Sequence, residues 1–113
     1  MHEYGLCVEI VDTVLSTARE HEAKEVKGVS LEVGVLRGIV LDHLRFFFEH
    51  LTKGTLAEGA DLSLEEEPVE VDCPACGVST FPGMTLTCPG CGSSMVAIRG
   101  GDSIRIASVE LET

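Results

Sequence analysis

Cys73-Pro-Ala-Cys76-Gly77, eleven residues, then Cys88-Pro-Gly-Cys91-Gly92 is the stretch from which the rest of the chain is best read. Each Cys-x-x-Cys lets one tight turn aim two sulfurs at a common point. The glycine after each pair permits the positive φ that such a knuckle requires. Two knuckles supply four thiolates, a set suited to tetrahedral zinc with Zn–S bonds of about 2.3 Å. Four protein ligands close the coordination shell, so the expected zinc is structural, not hydrolytic. A redox Cys-x-x-Cys stands alone at a strand-to-helix junction, and an iron–sulfur centre is a weaker match to paired knuckles. Cys73, Cys76, Cys88 and Cys91 are therefore the expected zinc ligands. Cys7, the one cysteine outside the two pairs, reads as a small buried hydrophobe.

Outward from the knuckles, Pro68 and Gly100-Gly101 bracket a segment of short extended pieces and turns. On the N-terminal side, Leu6, Ile10 and Val14, with Val11, Leu15 and Ala18 beside them, have helical spacing over residues 6 to 21. Lys24 to Gly28 reads as a turn. Val29, Leu31 and Val33 alternate with Ser30, Glu32 and Gly34 as a half-buried strand. A second helix is predicted over 40–52, with Val40, Leu44, Phe47, Phe48 and Leu51 on its apolar face. Strands follow at 62–66 and 104–111, the last changing phase near Ala107 as at a bulge. The expected fold is α+β: two helices on a small three-stranded sheet, with an inserted four-cysteine zinc-ribbon module. The expected domains are 1–68, completed by 101–113, and 69–100.

The 113 residues carry 19 acidic and 8 basic side chains, a formal charge of −11. That balance argues against a nucleic-acid partner, which needs cations to displace phosphate counterions. No apolar run is long enough to span a membrane, and no signal peptide is evident, so a cytoplasmic protein is expected. No phosphate-binding loop, nucleophile or acid–base pair is present, and no enzyme activity is predicted.

The chain begins Met1-His2-Glu3. At a free N-terminus the Met1 amine, the His2 backbone nitrogen and the His2 imidazole can close two fused chelate rings. Such nitrogen-rich sets favour planar Ni(II) or Cu(II). Glu3, through its backbone nitrogen or its carboxylate, could complete the shell. The bulk of His2 disfavours removal of Met1. His21, His43 and His50 read as partly exposed helix residues; His43 and His50 lie two turns apart, about 10 Å along the axis, too far for one metal.

Met1-His2-Glu3, the strand Leu31-Glu32-Val33-Gly34, the stretches Leu44-Arg45-Phe46-Phe47-Phe48-Glu49 and Thr52-Lys53-Gly54-Thr55-Leu56-Ala57-Glu58-Gly59, and the two cysteine pairs together resemble the HypA family. These are nickel-insertion accessory proteins for [NiFe]-hydrogenase and, for some members, urease. The resemblance implies a nickel metallochaperone with nickel at His2, assisted by Met1 and Glu3, and structural zinc at Cys73, Cys76, Cys88 and Cys91. It implies a HypB-type GTPase and the hydrogenase large subunit as partners. Three departures stand out. The gap between the cysteine pairs is short, Val35 follows Gly34 where many members are acidic, and no histidine flanks the knuckles. Without the resemblance, the residues also fit a zinc-ribbon adaptor or regulator with no dedicated nickel role.

Overall fold

The computed structural model describes residues 2–81 and 86–113, apart from the side chains of His2 and Phe81. In chain order, helix α1 (His2–Glu20) leads into strand β1 (Glu25–Gly34), a single 3-10 turn (Val35–Arg37) and helix α2 (Leu41–Leu51). Five strands follow: β2 (Asp61–Glu67), β3 (Val69–Cys73), β4 (Gly77–Phe81), β5 (Ala97–Arg99) and β6 (Ile104–Glu112). Two three-stranded sheets form, ordered β2-β1-β6 and β4-β3-β5. The class is α+β, as predicted. The short extended pieces of the cysteine segment pair into a sheet of their own.

The chain divides into two compact units. One comprises residues 1–31, 39–64 and 106–113; the other comprises 32–38 and 65–105. In the first unit, α1 buries Cys7, Ile10, Val11, Val14 and Ala18, a stripe at helical spacing. Ile10, Val11, Val14 and Ala18 are there as expected, whereas Leu6 and Leu15 are only half-buried and Cys7 is buried in addition. Cys7 is fully buried, as expected, with its sulfur 3.8 Å from the Leu44 carbonyl oxygen. From α2, Leu44 and Phe48 enter the core, joined by Val26, Val29, Leu31, Ala57 and Leu62. Val40, expected on the apolar face, is instead the N-cap residue, 48% exposed, and makes no side-chain cap. At the other end, Thr52 closes the helix: its hydroxyl donates to the Phe48 carbonyl at 2.8 Å.

Two boundaries bear on the sequence reading. β1 begins at Glu25, because the stretch read as a turn is extended. Val26 is fully buried and its N–H donates to the Leu56 carbonyl at 2.8 Å. β6 does change phase where expected, with Ala107 and Ser108 successively exposed between half-buried Ile106 and Val109.

The second unit builds on Val33, Val69, Val71, Cys73 and Cys88. β3 pairs antiparallel with β4, Val69 opposite Phe81 and Cys73 opposite Gly77, and with β5, Glu70 opposite Arg99 and Asp72 opposite Ala97. Gly34 crosses directly against the backbone at Gly101. Its N–H donates to the Ser103 carbonyl at 2.8 Å, and the Leu36 N–H donates to the Gly101 carbonyl at 2.7 Å. A Cβ at Gly34 would lie inside van der Waals contact of the Gly101 carbonyl group and 2.8 Å from the Asp102 nitrogen. Only a residue without a side chain permits this approach.

Candidate metal centre

The first knuckle is the turn of the β3–β4 hairpin. Cys73 ends β3, Pro74-Ala75-Cys76 make the turn, and Gly77 opens β4 opposite Cys73. The second knuckle closes on itself. The Gly92 N–H donates to the Cys88 carbonyl at 2.8 Å, and the Cys88 N–H donates to the Ser93 carbonyl at 2.9 Å. Gly77 and Gly92 take φ of 85° and 75°, the left-handed conformation expected of the residue after each pair.

All four sulfurs lie within 4.8 Å of one another, and Cys73 Sγ is 3.8 Å from Cys91 Sγ. A regular tetrahedron with Zn–S bonds of about 2.3 Å has edges of about 3.8 Å. One edge therefore already has the zinc value, and small side-chain adjustments would bring in the others. Among the described residues, no other group of three or more His, Cys, Asp or Glu side chains is placed to hold a metal ion.

The electrostatics fit the same ion. Cys88 is lowered to about 7, first by the backbone N–H of Cys91 and then by that of Gly90, which lies 3.4 Å from its sulfur. Cys76 is pushed up to about 12, chiefly by sharing protons with Cys88 and Cys91. Crowded sulfurs cannot all carry charge by themselves. A divalent cation at their centre removes that conflict, and soft thiolates select zinc among the common divalent ions. The set is unequal in access: Cys73 and Cys88 are buried, whereas Cys76 and Cys91 are exposed.

Cys7 takes no part. Burial raises its thiol to about 11, which makes it inert at neutral pH. His21 Nδ1 meets the Thr17 carbonyl at 2.9 Å, and His43 and His50 are exposed on α2. Met1 and the imidazole of His2, the centre of the expected nickel site, lie outside the described residues. The backbone of His2 is the first residue of α1, and Glu3 is 8% exposed.

A family model described as "Hydrogenase/urease nickel incorporation, metallochaperone, hypA" matches residues 1–111. The chain belongs to the HypA family. HypA-type relatives match it end to end. The hydrogenase maturation factor HypA of Nitrosospira multiformis is 37% identical over 114 residues, covering 100% of this chain and 99% of that protein. The HypA of Chlorobaculum tepidum is 36% identical over 114 residues, covering 99% and 100%. Among solved structures, the Ni metallochaperone HypA from Helicobacter pylori superposes with a TM-score of 0.67 at 23% identity, over 97% of both chains. A second HypA solution structure gives 0.70 at 24% identity, over 98% of this chain and 96% of that one. These two likenesses support the fold. Among the described residues, no helix is long and apolar enough to cross a membrane.

Two features of this chain escaped the sequence reading. One is the burial of Glu3. The other is an edge-on contact between Tyr4 and Phe47, with ring centroids 5.3 Å apart. The helical spacing before Leu6 was the available signal, but Gly5 interrupts it.

Proposed function

We propose that this chain is a nickel carrier: it binds Ni(II) at its N-terminus and passes the ion on in the cytoplasm during maturation of [NiFe]-hydrogenase. The four-cysteine zinc site serves as scaffold, and the chain itself performs no covalent chemistry. Family membership supports the nickel role, and the observation that carries the choice of site is the start of α1 at His2. The first four N–H groups of a helix have no intrahelical acceptor. The His2 and Glu3 amides are among them, so nickel can replace an amide proton there without breaking a helical hydrogen bond.

The helix dipole opposes a bare cation at this end but favours a deprotonated, anionic amide. The Met1 amine, the His2 amide and the His2 imidazole then form the chelate, with Glu3 completing the set. A shallow terminal site suits a carrier, because cargo must leave as well as bind. A micromolar dissociation constant, about −8 kcal/mol, is the expected scale. Affinity falls with acidification through roughly pH 7 to 6, as the imidazole and amine regain protons. Without a phosphate-binding loop of its own, the carrier needs a partner GTPase of the HypB type to couple transfer to nucleotide, and the hydrogenase large subunit is its client.

The test is titration of Ni(II) by calorimetry and absorption on protein with an untagged N-terminus, beside His2→Ala. Loss of binding in the variant is expected. Unchanged binding would remove the N-terminal site and leave a zinc-ribbon adaptor as the better reading.

A further inference from the structure

The chain has only five aromatic side chains, four Phe and one Tyr. Phe48 is in the core, but Tyr4, Phe46 and Phe47 form a separate cluster. The Tyr4 ring meets Phe47 edge-on, centroids 5.3 Å apart and planes at 87°; Phe47 in turn meets Phe46 at 5.7 Å. Tyr4 is 43% exposed and Phe46 is 65% exposed, so the cluster contributes little to the core. Its position along the chain is what gives it meaning. Tyr4 lies in the first turn of α1, immediately after the residues proposed to carry nickel.

First turns fray, because their amides have no acceptor within the helix and each residue there gains few contacts for the freedom it loses. In this chain Gly5 adds to that tendency: it is the second-worst helix former, and nothing lies within 4 Å of where its Cβ would be. Two side chains in the first turn nevertheless engage the first unit. Glu3 is 8% exposed, and Tyr4 packs on Phe47 of α2. Holding Tyr4 holds the backbone of His2 and Glu3 in helical geometry, which reduces the ordering cost of closing a chelate on them.

We infer that Phe47 is a positioning residue for the nickel site: through its edge-on contact with Tyr4 it keeps the first turn of α1 formed, so that the His2 and Glu3 backbone nitrogens are pre-arranged for the metal. The inference rests on the N-terminal nickel site proposed above. An aromatic pair contributes about 0.5–1.5 kcal/mol beyond its buried area, which corresponds to roughly a 2- to 12-fold change in an equilibrium constant.

The experiment compares Phe47→Leu, Tyr4→Leu and the ring-preserving Tyr4→Phe with the parent and with His2→Ala, all untagged and zinc-loaded. Ni(II) alone is the probe, followed by calorimetry and by the position of its d–d absorption bands. Zinc stoichiometry and the unfolding midpoint show that each variant is folded. The expected result is a several-fold loss of affinity and a shifted or broadened d–d spectrum in both leucine variants, with Tyr4→Phe like the parent. If Phe47→Leu misfolds, Tyr4→Leu, at an exposed position, decides alone. Parent-like affinity and spectrum in folded leucine variants, with binding lost in His2→Ala, would overturn the positioning role and leave the N-terminal site standing. Parent-like binding in His2→Ala as well would overturn both.

Discussion

Replacing Gly34 by alanine tests a close backbone crossing in the second unit. The φ and ψ of Gly34 are −65° and 133°, values that alanine adopts freely, so any cost must come from what the new methyl meets. It meets backbone, the Gly101 carbonyl group and the Asp102 nitrogen, which cannot swing aside as a flexible side chain would. Overpacking of this kind costs about 1–3 kcal/mol. Pushing the two segments apart also weakens two hydrogen bonds, Gly34 to Ser103 and Leu36 to Gly101, at about 0.5–1.5 kcal/mol each. The expected loss is therefore about 2–6 kcal/mol, against a total stability of about 5–15 for an ordinary domain. Urea unfolding of the zinc-loaded protein reads it directly: with a slope of about 2 kcal/mol/M, the midpoint falls by about 1 M or more. Gly5→Ala is the control, because open space surrounds that position and alanine is the better helix former by up to about 1 kcal/mol. A Gly34→Ala midpoint indistinguishable from the parent would refute the close approach, since only surface changes stay within about 0.5 kcal/mol.

Cys73→Ser removes a buried sulfur of the four-cysteine cluster, and metal analysis is expected to show less than stoichiometric zinc, with amide exchange accelerated in β3–β5 but unchanged in α1 and α2; retained zinc would argue against four-cysteine binding. Val40→Ser supplies the missing side-chain cap to α2 and sheds an exposed apolar group, so thermal unfolding should show stabilisation of about 0.5–1 kcal/mol. Cys7 bears on alkaline stability. Its folded value, about 11, lies above the ordinary thiol value of 9.0. Its contribution is thus fully present below pH 9.0, and it is lost as pH rises toward 11 because the unfolded thiol ionises first. The stability of the parent relative to Cys7→Val, followed by urea midpoint, should decline across that interval.

The helices and the long strands were legible because their burial follows simple periods. Leu44 and Phe48 lie four apart on α2; Val29, Leu31 and Val33 alternate on β1. Where the period breaks, the reading failed. Glu25-Val-Lys-Gly28 carries charge and glycine, so it reads as a turn, yet it belongs to β1, which pairs with β2 and β6 far along the chain. Such a partner leaves no local mark. Val40 illustrates the reverse: an apolar residue at the correct helical spacing that falls one position before the helix and stays exposed. The four-sulfur cluster was legible because its spacing alone implies a shared focus. The pairing of β3 with both β4 and β5 was not, because it depends on how the ribbon closes on itself, and the close fit of Gly34 on Gly101 joins two glycines far apart in sequence.

The unequal access to the four sulfurs bears on how the zinc can leave. Each knuckle contributes one inward cysteine, Cys73 or Cys88, and one outward cysteine, Cys76 or Cys91. With zinc on all four sulfurs, an incoming chelator would meet the outward half first, taking over from Cys76 and Cys91 one bond at a time while the inward sulfurs held the ion. Release would then be an associative exchange whose rate climbs with chelator concentration, with no need for the ribbon to unfold first. The site can be thermodynamically tight and still be kinetically labile, and whether zinc stays would depend on what thiols and chelators surround the protein as well as on its binding constant.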